Sequence, residues 1–226
     1  MHRIHQNNES STNSRKETTY DGRDDELNKK GMSAILLAAG FSSRMGKLKA
    51  LLPWQGKTLI EYQIEQIHQA RVREIVVVLG YQADQLHSVM TQYDHLKIVR
   101  NDHYKQGKSS SIRIGASNVS DNAKGIFICN VDQPVPSHTL TKMSDKLIQS
   151  AAIIPVYENK RGHPILFHGN LKDDLLAVRE NTKGLRQIVS DYAERIMYLE
   201  VQDPSILFNF NKPEDYLKNF SEGGLP

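Results

Sequence analysis

A short basic loop near residue 45 is the part of the sequence with the clearest chemical potential. Within ten residues it combines glycines, serines and cationic side chains: Gly40, Ser42, Ser43, Arg44, Gly46, Lys47 and Lys49. Glycines let a backbone approach a ligand closely, N–H groups can point at oxygen atoms, and Arg and Lys neutralise negative charge. The loop therefore predicts a phosphate-binding site.

Two common phosphate loops do not fit this stretch. A P-loop requires a glycine, four residues and then Gly-Lys-Ser/Thr. Gly56-Lys57-Thr58 supplies the end of that pattern, but Leu51 stands where the first glycine is required. A G-x-G-x-x-G fingerprint for dinucleotides is also absent from residues 38–46. The loop therefore belongs to another class of phosphate site.

The apolar run that precedes the loop, residues 34–38, predicts a strand buried on both faces. Further strands are predicted at 74–80, 96–100, 124–131, 151–157, 165–167 and 196–201, and helices at 58–70, 82–93, 109–119, 137–148, 184–193 and from Pro213 onward. This alternation predicts a three-layer α/β fold with a mostly parallel, Rossmann-like sheet. A hairpin across 158–162 adds a small antiparallel portion.

Asp132 is a second candidate for chemistry, because it follows a predicted buried strand and precedes Gln133-Pro134. In parallel sheets of this type, ligands bind beyond the carboxyl ends of the strands. The basic loop and Asp132 are therefore expected at the same edge. By residue type alone, a capping or turn role for Asp132 is the more common explanation.

The motif L-A-A-G-x-S-x-R-M-G-x-x-K at residues 37–49 resembles the signature of the molybdenum-cofactor nucleotidyltransferases, within the nucleotide-diphospho-sugar transferase-like fold. The resemblance covers roughly residues 33–220, and the most similar members are cytidylyltransferases that act on molybdopterin. It implies that Leu37, Ala38, Ala39 and Gly40 bind the nucleotide. It also implies that Arg44 holds the leaving pyrophosphate and that Lys49 bridges the α-phosphate and the incoming phosphate.

The resemblance further implies a Mg²⁺ site, which Mn²⁺ could also occupy. Asp132 in D-Q-P would be one ligand, and Asn211, just before Lys212-Pro213, would be the second. Many cytidylyltransferases have aspartate in place of Asn211, whereas asparagine resembles the guanylyltransferase pattern, and Asn209 lies two residues earlier. Magnesium binds oxygen ligands and keeps several waters, so two protein ligands suffice. A capping role for Asn211 stays open.

Two other stretches resemble substrate-binding loops of the family. The stretch Gly107-Lys108-Ser109-Ser110-Ser111, with Gly115 beyond, matches the loop beside the nucleoside, although helix capping would explain the serines equally well. Gly107 and the three serines are the residues expected to bind the nucleotide. The acceptor side is predicted to include the following residues: Gln133, Gly162, His163, Lys183 and Arg186. There the family's G-D-x-G-A-R appears as N-T-K-G-L-R, so Asn181 and Thr182 depart from the pattern and make the identity of the acceptor less certain than the transfer reaction.

The resemblance implies transfer of CMP from CTP to the phosphate of molybdopterin, with release of pyrophosphate. L-A-A-G and D-Q-P favour CTP, whereas Asn209 and Asn211 resemble the pattern of GTP-using enzymes. Alternatives are guanylyl transfer, or transfer to a sugar phosphate or isoprenoid precursor, although Leu48 stands where the isoprenoid enzymes usually have proline. A non-catalytic accessory protein that binds nucleotide or cofactor is an alternative of another class. A molybdoenzyme or its chaperone is the expected protein partner.

Composition limits the remaining possibilities. The chain has 226 residues, a net charge of +3 and one cysteine, Cys129, which excludes an intramolecular disulfide and a cysteine cluster for metal. The modest charge gives no reason to expect nucleic acid, and no apolar run approaches the ~18 residues of a membrane span. We therefore expect a cytoplasmic protein. Residues 1–31 have few apolar side chains and are predicted to be a disordered tail before a domain over 32–226.

Overall fold

The computed structural model describes residues 31–223, so the predicted disordered tail, except for Gly31, lies outside the described residues. The strands are β1 (Met32–Ala38), β2 (Pro53–Trp54), β3 (Lys57–Thr58), β4 (Glu74–Leu79), β5 (Leu96–Arg100), β6 (Gly125–Asn130), β7 (Ala152–Tyr157), β8 (Lys160–Arg161), β9 (Ile165–His168) and β10 (Ile196–Glu200). The α-helices are α1 (Leu59–Gln69), α2 (Ala83–Met90), α3 (Lys108–Asn118), α4 (Ser137–Lys146), α5 (Lys172–Ala177), α6 (Leu185–Asp191) and α7 (Pro213–Gly223).

The main sheet has the order β10-β7-β9-β6-β1-β4-β5, and β8 pairs with β7 at the side. β1 lies between β4 and β6 and is parallel to both, β5 extends this parallel group, and β10 runs parallel to β7. β9 is antiparallel to both β6 and β7. The predicted fold class, a mostly parallel α/β sheet with a small antiparallel portion, is confirmed.

Strand β1 shows how the sequence builds three layers. Its side chains alternate, because successive residues of a strand point to opposite faces. Ala34, Leu36 and Ala38 pack into one hydrophobic cluster with side chains of α1, α2, α4 and α7. Ile35 and Leu37 pack into a second cluster with side chains of α3, α5 and α6. The strand is therefore buried on both faces, as its unbroken apolar run predicts.

A tight hairpin and a capped helix follow the basic loop. β2 and β3 pair across Gln55 and Gly56, which both have positive φ values (47° and 77°) that suit a two-residue hairpin turn. Thr58 then caps α1, because its side chain accepts a hydrogen bond from the Glu61 N–H while the Glu61 carboxylate accepts one from the Thr58 N–H. This reciprocal capping box explains why the helix begins at Leu59.

The last third of the chain differs most from the sequence prediction. β9 pairs antiparallel with β7, as predicted for 165–167, but the short β8 forms the tight hairpin with β7 across 158–159, and β9 also pairs with β6 on its other side. Helix α5 was not predicted, because it has only six residues and too few turns to show a clear apolar period. Among the described residues, no helix combines the length and apolar character needed to cross a bilayer.

Candidate functional site

Three polar side chains predicted to do chemistry meet at the carboxyl edge of the parallel strands. The Lys49 Nζ donates a hydrogen bond to Asp132 Oδ2 over 2.6 Å and another to Asn211 Oδ1 over 3.2 Å. These residues are 83 and 162 positions from Lys49 in sequence. The structure therefore brings the catalytic candidate Lys49 together with both metal-ligand candidates.

Backbone hydrogen bonds fix the positions of these three residues. The Val131 N–H donates to the Leu37 carbonyl (3.1 Å), so the strand end before Asp132 is tied to the end of β1. The Phe210 N–H donates to the Asp132 carbonyl (3.1 Å), which places the neighbouring Asn211 beside Asp132. The Lys49 N–H donates to Ser42 Oγ over 3.1 Å and closes the basic loop. Backbone hydrogen bonds as well as side-chain contacts therefore hold these three residues together.

Gln63 of α1 holds the turn that carries Asp132. This side chain is buried, and its Nε2 donates hydrogen bonds to the carbonyls of Asn130 (3.0 Å) and Gln133 (2.6 Å). The side-chain amides of Asn130 and Gln133 also bond to each other. A buried amide that links two backbone carbonyls restrains the turn between them, and the position of Asp132 with it.

The three residues lie in a cleft of about 460 Å³ at the end of β1. Its walls include many of the residues predicted to bind nucleotide or acceptor: Leu37, Ala38, Ala39, Gly40, Gly107, Ser111, Gln133 and His163. Tyr104 and Asn130, which the sequence prediction missed, also line the cleft, as does Lys108, which lay in the predicted nucleoside loop without a role of its own. A cation directly after Gly107 was a signal for Lys108, since the adjoining stretch was already predicted to contact the nucleoside.

Of the three serines in that stretch, only Ser111 lines the cleft. Ser110 is buried and donates from its hydroxyl to the Gly107 carbonyl (2.8 Å), while Asn101 Nδ2 donates to the hydroxyls of Ser110 and Ser111, both over 2.9 Å. Ser109 instead lines a neighbouring pocket on the acceptor side, and Ser110 lines neither pocket, so their contact with a nucleotide stays a prediction. Their hydroxyls do not cap α3 either, because its N-cap residue is Gly107 and has no side chain.

A carboxylate from a distant segment takes the capping role instead. Glu180 Oε1 accepts a hydrogen bond from the Ser109 N–H over 2.6 Å, at the first turn of α3. Gly107 makes this contact possible, since a Cβ there would lie 2.6 Å from Glu180 Oε1, and its φ of +97° is strained for any other residue. Glu180 therefore joins the nucleotide side of the site to the predicted acceptor segment.

A second, larger pocket of about 1090 Å³ lies on that acceptor side. Four of the five residues predicted to contact the acceptor line it: Gly162, His163, Lys183 and Arg186. The fifth, Gln133, lines the first cleft and not the second pocket. Apolar walls come from Ile154, Ile165 and Val189, and the Arg161 guanidinium lies 4.5 Å above the centre of the Tyr198 ring. The second pocket thus combines apolar and cationic surface.

Lys108 and His163 line both pockets and mark where they meet. Burial lowers the pKa of His163 to about 4, and the positive charge of Lys108 adds to the shift while Asp132 opposes it. The imidazole is therefore neutral near pH 7. Protein atoms around Lys108 also lower the pKa of its ammonium group, against the opposing carboxylates of Asp132 and Glu180, although the side chain remains accessible from the open pockets.

The oxygen atoms of Asp132 and Asn211 fit a divalent cation. Both converge on one positively charged atom, Lys49 Nζ, and carboxylate and amide oxygens are ligands that hard cations prefer. Within residues 31–223, no group of three or more His, Cys, Asp or Glu side chains is arranged to bind a metal. A cation here would therefore be bound by few protein atoms. Arg44 lies in a 3₁₀ turn, Ser43–Met45, which residues 39–42 separate from the end of β1.

Comparison with known proteins agrees with this architecture. A family model described as "MobA-like NTP transferase domain" matches residues 34–196. The chain is 28% identical over 190 residues to the molybdenum cofactor cytidylyltransferase of Escherichia coli K12, covering 82% of this chain and 94% of that protein. It is 25% identical over 195 residues to a probable molybdenum cofactor guanylyltransferase of Bacillus cereus ATCC 10987, with the same coverage.

A third relative is named for a different activity. The nicotine blue oxidoreductase of Paenarthrobacter nicotinovorans is 28% identical over 183 residues, covering 77% of this chain and 89% of that protein. Similarity to individual relatives therefore does not by itself identify the reaction.

Solved structures show the same fold. A nucleotidyl transferase from Methanothermobacter thermautotroptrophicus is 26% identical and superimposes with a TM-score of 0.74, over 85% of this chain and 97% of that one. Rv0371C of Mycobacterium tuberculosis H37Rv, solved in complex with manganese, superimposes with a TM-score of 0.69 at 22% identity, over 84% and 97% of the two chains. The chain belongs to the MobA-like NTP transferase domain family, and by family and fold it is a nucleotidyltransferase.

Proposed function

We propose that the protein transfers CMP from CTP to the phosphate of molybdopterin, in a Mg²⁺-dependent reaction that releases pyrophosphate. The observation that carries this proposal is the convergence of Lys49, Asp132 and Asn211 in a cleft that opens beside a second, cation-lined pocket. One cleft suits a triphosphate and the adjoining pocket suits an acceptor. The names of two relatives, a cytidylyltransferase and a guanylyltransferase for the molybdenum cofactor, support the same reaction class.

The proposed chemistry depends on positioning and charge neutralisation. An oxygen of the acceptor phosphate attacks the α-phosphorus of CTP, and the bond to the β-phosphate oxygen breaks so that pyrophosphate leaves with its electron pair. Such a step needs no covalent enzyme intermediate. In the proposed roles, Arg44 holds the leaving pyrophosphate and Lys49 neutralises charge between the α-phosphate and the incoming phosphate. Leu37–Gly40, Gly107 and Ser111 would contact the nucleoside.

Asp132 and Asn211 would hold the cation, Mg²⁺ or Mn²⁺, since their oxygens already converge on a positive charge. A bound cation supplies charge neutralisation for the triphosphate. Manganese in the complex of Rv0371C is consistent with use of a divalent metal in this fold.

Guanylyl transfer is the second candidate, and the amide of Asn211 favours it because that residue resembles the GTP-using pattern. Ala39, which lines the cleft beside Gly40, favours the smaller pyrimidine base. We retain CTP as the proposed donor. A comparison of kcat/KM for CTP and GTP with one acceptor tests this choice, and a ratio in favour of GTP would overturn it.

The decisive experiment combines the purified protein with each nucleoside triphosphate, Mg²⁺ and molybdopterin. Pyrophosphate release is measured, and the product is identified by mass. Sugar phosphates serve as competing acceptors, and Lys49→Ala serves as the inactive control. Binding of nucleotide without pyrophosphate release from any combination would instead favour an accessory binding protein.

We further propose that residues 32–226 form the nucleotidyltransferase domain and that this reaction takes place in the cytoplasm. A molybdoenzyme or its chaperone would then receive the product. A protein that starts at Met32 should keep the kcat of the full chain. A clear loss of kcat or of melting temperature in the shortened protein would show that the tail is part of the working domain.

A further inference from the structure

Lys108 lies at the junction between the two pockets, and its polar contacts differ from those of Lys49. It is the first residue of α3, directly after the positive-φ Gly107, and it lines both the first cleft and the second pocket. Lys49, by comparison, lines only the first cleft. An ammonium group at the junction can reach an anion that extends from one pocket into the other.

The two lysines also differ in their partners. Lys49 Nζ is bonded to Asp132 and Asn211, at 2.6 and 3.2 Å. In the part of the chain that the structure describes, Lys108 Nζ has neither a hydrogen bond nor an ion pair within 4.0 Å. Of the two carboxylates near it, Asp132 is already bonded to Lys49 Nζ and Glu180 to the Ser109 N–H. Lys108 is therefore an exposed cation at the junction of the two pockets without a direct partner.

The surrounding side chains indicate what kind of partner is missing. An ammonium group that faces two open pockets and has no protein partner is available to an anion that enters either pocket, and hydrogen bonds between ionised groups are among the stronger ones. Two further cationic residues, Lys183 and Arg186, line the second pocket together with Lys108. The apolar walls of this pocket suit a large organic group that carries little charge. A phosphomonoester of a bulky, mostly apolar organic molecule matches this distribution of charge and apolar surface.

We propose that Lys108 binds the phosphate of the acceptor and holds it at the junction, pointing from the second pocket toward the α-phosphorus of the nucleotide. The inference rests on the proposed function and adds to it a residue that selects a phosphorylated acceptor. Lys108 transfers no proton. The attacking oxygen is already an anion, the new phosphorus–oxygen bond forms on it, and pyrophosphate takes the electron pair of the broken bond.

The kinetic test compares Lys108→Met and Lys108→Arg with the wild type, and uses Lys105→Met as a matched control. Lys105 is an exposed lysine in the 3₁₀ turn before α3 and lines neither pocket. Lys108→Met should raise the KM for molybdopterin about tenfold or more, as expected for a lost charge-assisted hydrogen bond, while the KM for CTP changes less than about twofold. Lys108→Arg should recover most of the loss, and Lys105→Met should show none. An unchanged KM for molybdopterin, or an equal rise for both substrates, would overturn the proposal.

A binding measurement separates this proposal from the proposed function. Calorimetric titration with inorganic phosphate, without metal or nucleotide, should show at least about fivefold weaker binding to Lys108→Met than to the wild type or Lys105→Met. Equal binding to all three proteins would overturn the role of Lys108 even if the enzyme is active. Absence of pyrophosphate release by the wild type would overturn the proposed reaction, while the phosphate titration would still decide whether Lys108 binds phosphate.

Discussion

The first cleft and the second pocket are built in different ways. The cleft lies where neighbouring parallel strands end, and its polar residues are tied by backbone hydrogen bonds such as Val131 N to Leu37 O and Phe210 N to Asp132 O. The second pocket is lined mainly by residues of α3, α6 and the strands β7 to β10, and its cations Arg161, Lys183 and Arg186 are exposed. Under the proposed function, the triphosphate would bind beside residues that backbone hydrogen bonds fix in place, whereas the acceptor would bind to exposed side chains that can change without altering the sheet.

The largest effect is expected in the fixed cleft, from Lys49→Ala. The variant removes the cation that lies between Asp132 and Asn211, and kcat should fall ~10²-fold or more, as for loss of a group that stabilises the transition state. Steady-state pyrophosphate release measures the loss, and the circular dichroism spectrum should not change. Lys47→Ala, an exposed neighbour in the same loop, is the control. Retention of more than about half of kcat would assign Lys49 a structural role.

The two proposed metal ligands should differ in importance within the same cleft. Asp132→Asn should lose more metal-dependent activity than Asn211→Ala, because only the carboxylate carries a formal charge for the cation. Titration of activity with Mg²⁺ and with Mn²⁺ gives an apparent metal affinity for each variant. Equal losses, or a larger loss in Asn211→Ala, would mean that the ligand set is wrong.

A substitution in the second pocket should change the KM for the acceptor rather than kcat. Arg186→Ala should raise the KM for the acceptor about tenfold, a loss of ~1.4 kcal/mol, because Arg186 lines the second pocket but not the first cleft, where transfer is proposed to occur. The KM for CTP and the kcat at saturating acceptor should stay close to wild type. Arg195→Ala, which removes an exposed arginine outside both pockets, is the matched control. A fall in kcat with no change in acceptor KM would contradict the division between the two regions.

Parts of the site that follow from the parallel sheet could be predicted from the sequence, whereas contacts between distant segments could not. The basic loop and Asp132 each follow a buried strand, so their arrival at one edge follows from the parallel sheet alone. The backbone bond between Phe210 and Asp132 could not be derived in this way, since it joins segments far apart in sequence, and the resemblance to a family supplied Asn211 instead. Glu180 was missed because nothing near it in sequence shows that it caps α3. Lys108 was passed over beside the serines, whose polar groups turned out to bond mainly within their own loop.

The smallest effect is expected from Ala39→Gly, a change in the first cleft at a residue that is proposed to lie beside the base. Ala39 lies against Gly80, where a Cβ would approach the Ala39 Cβ to 2.8 Å, so the ends of β1 and β4 pack closely here. Loss of one methyl group gives a purine slightly more room, and a single methyl discriminates by only ~1–3 kcal/mol. Because Ala39 is one of many residues that line the cleft, we expect the lower end of this range: the ratio of kcat/KM for GTP to that for CTP should rise about fivefold, without reversing the preference. Measurement of both constants with one acceptor tests this. A complete reversal would mean that Ala39 alone selects the base, whereas no change would place base selection in other residues of the cleft.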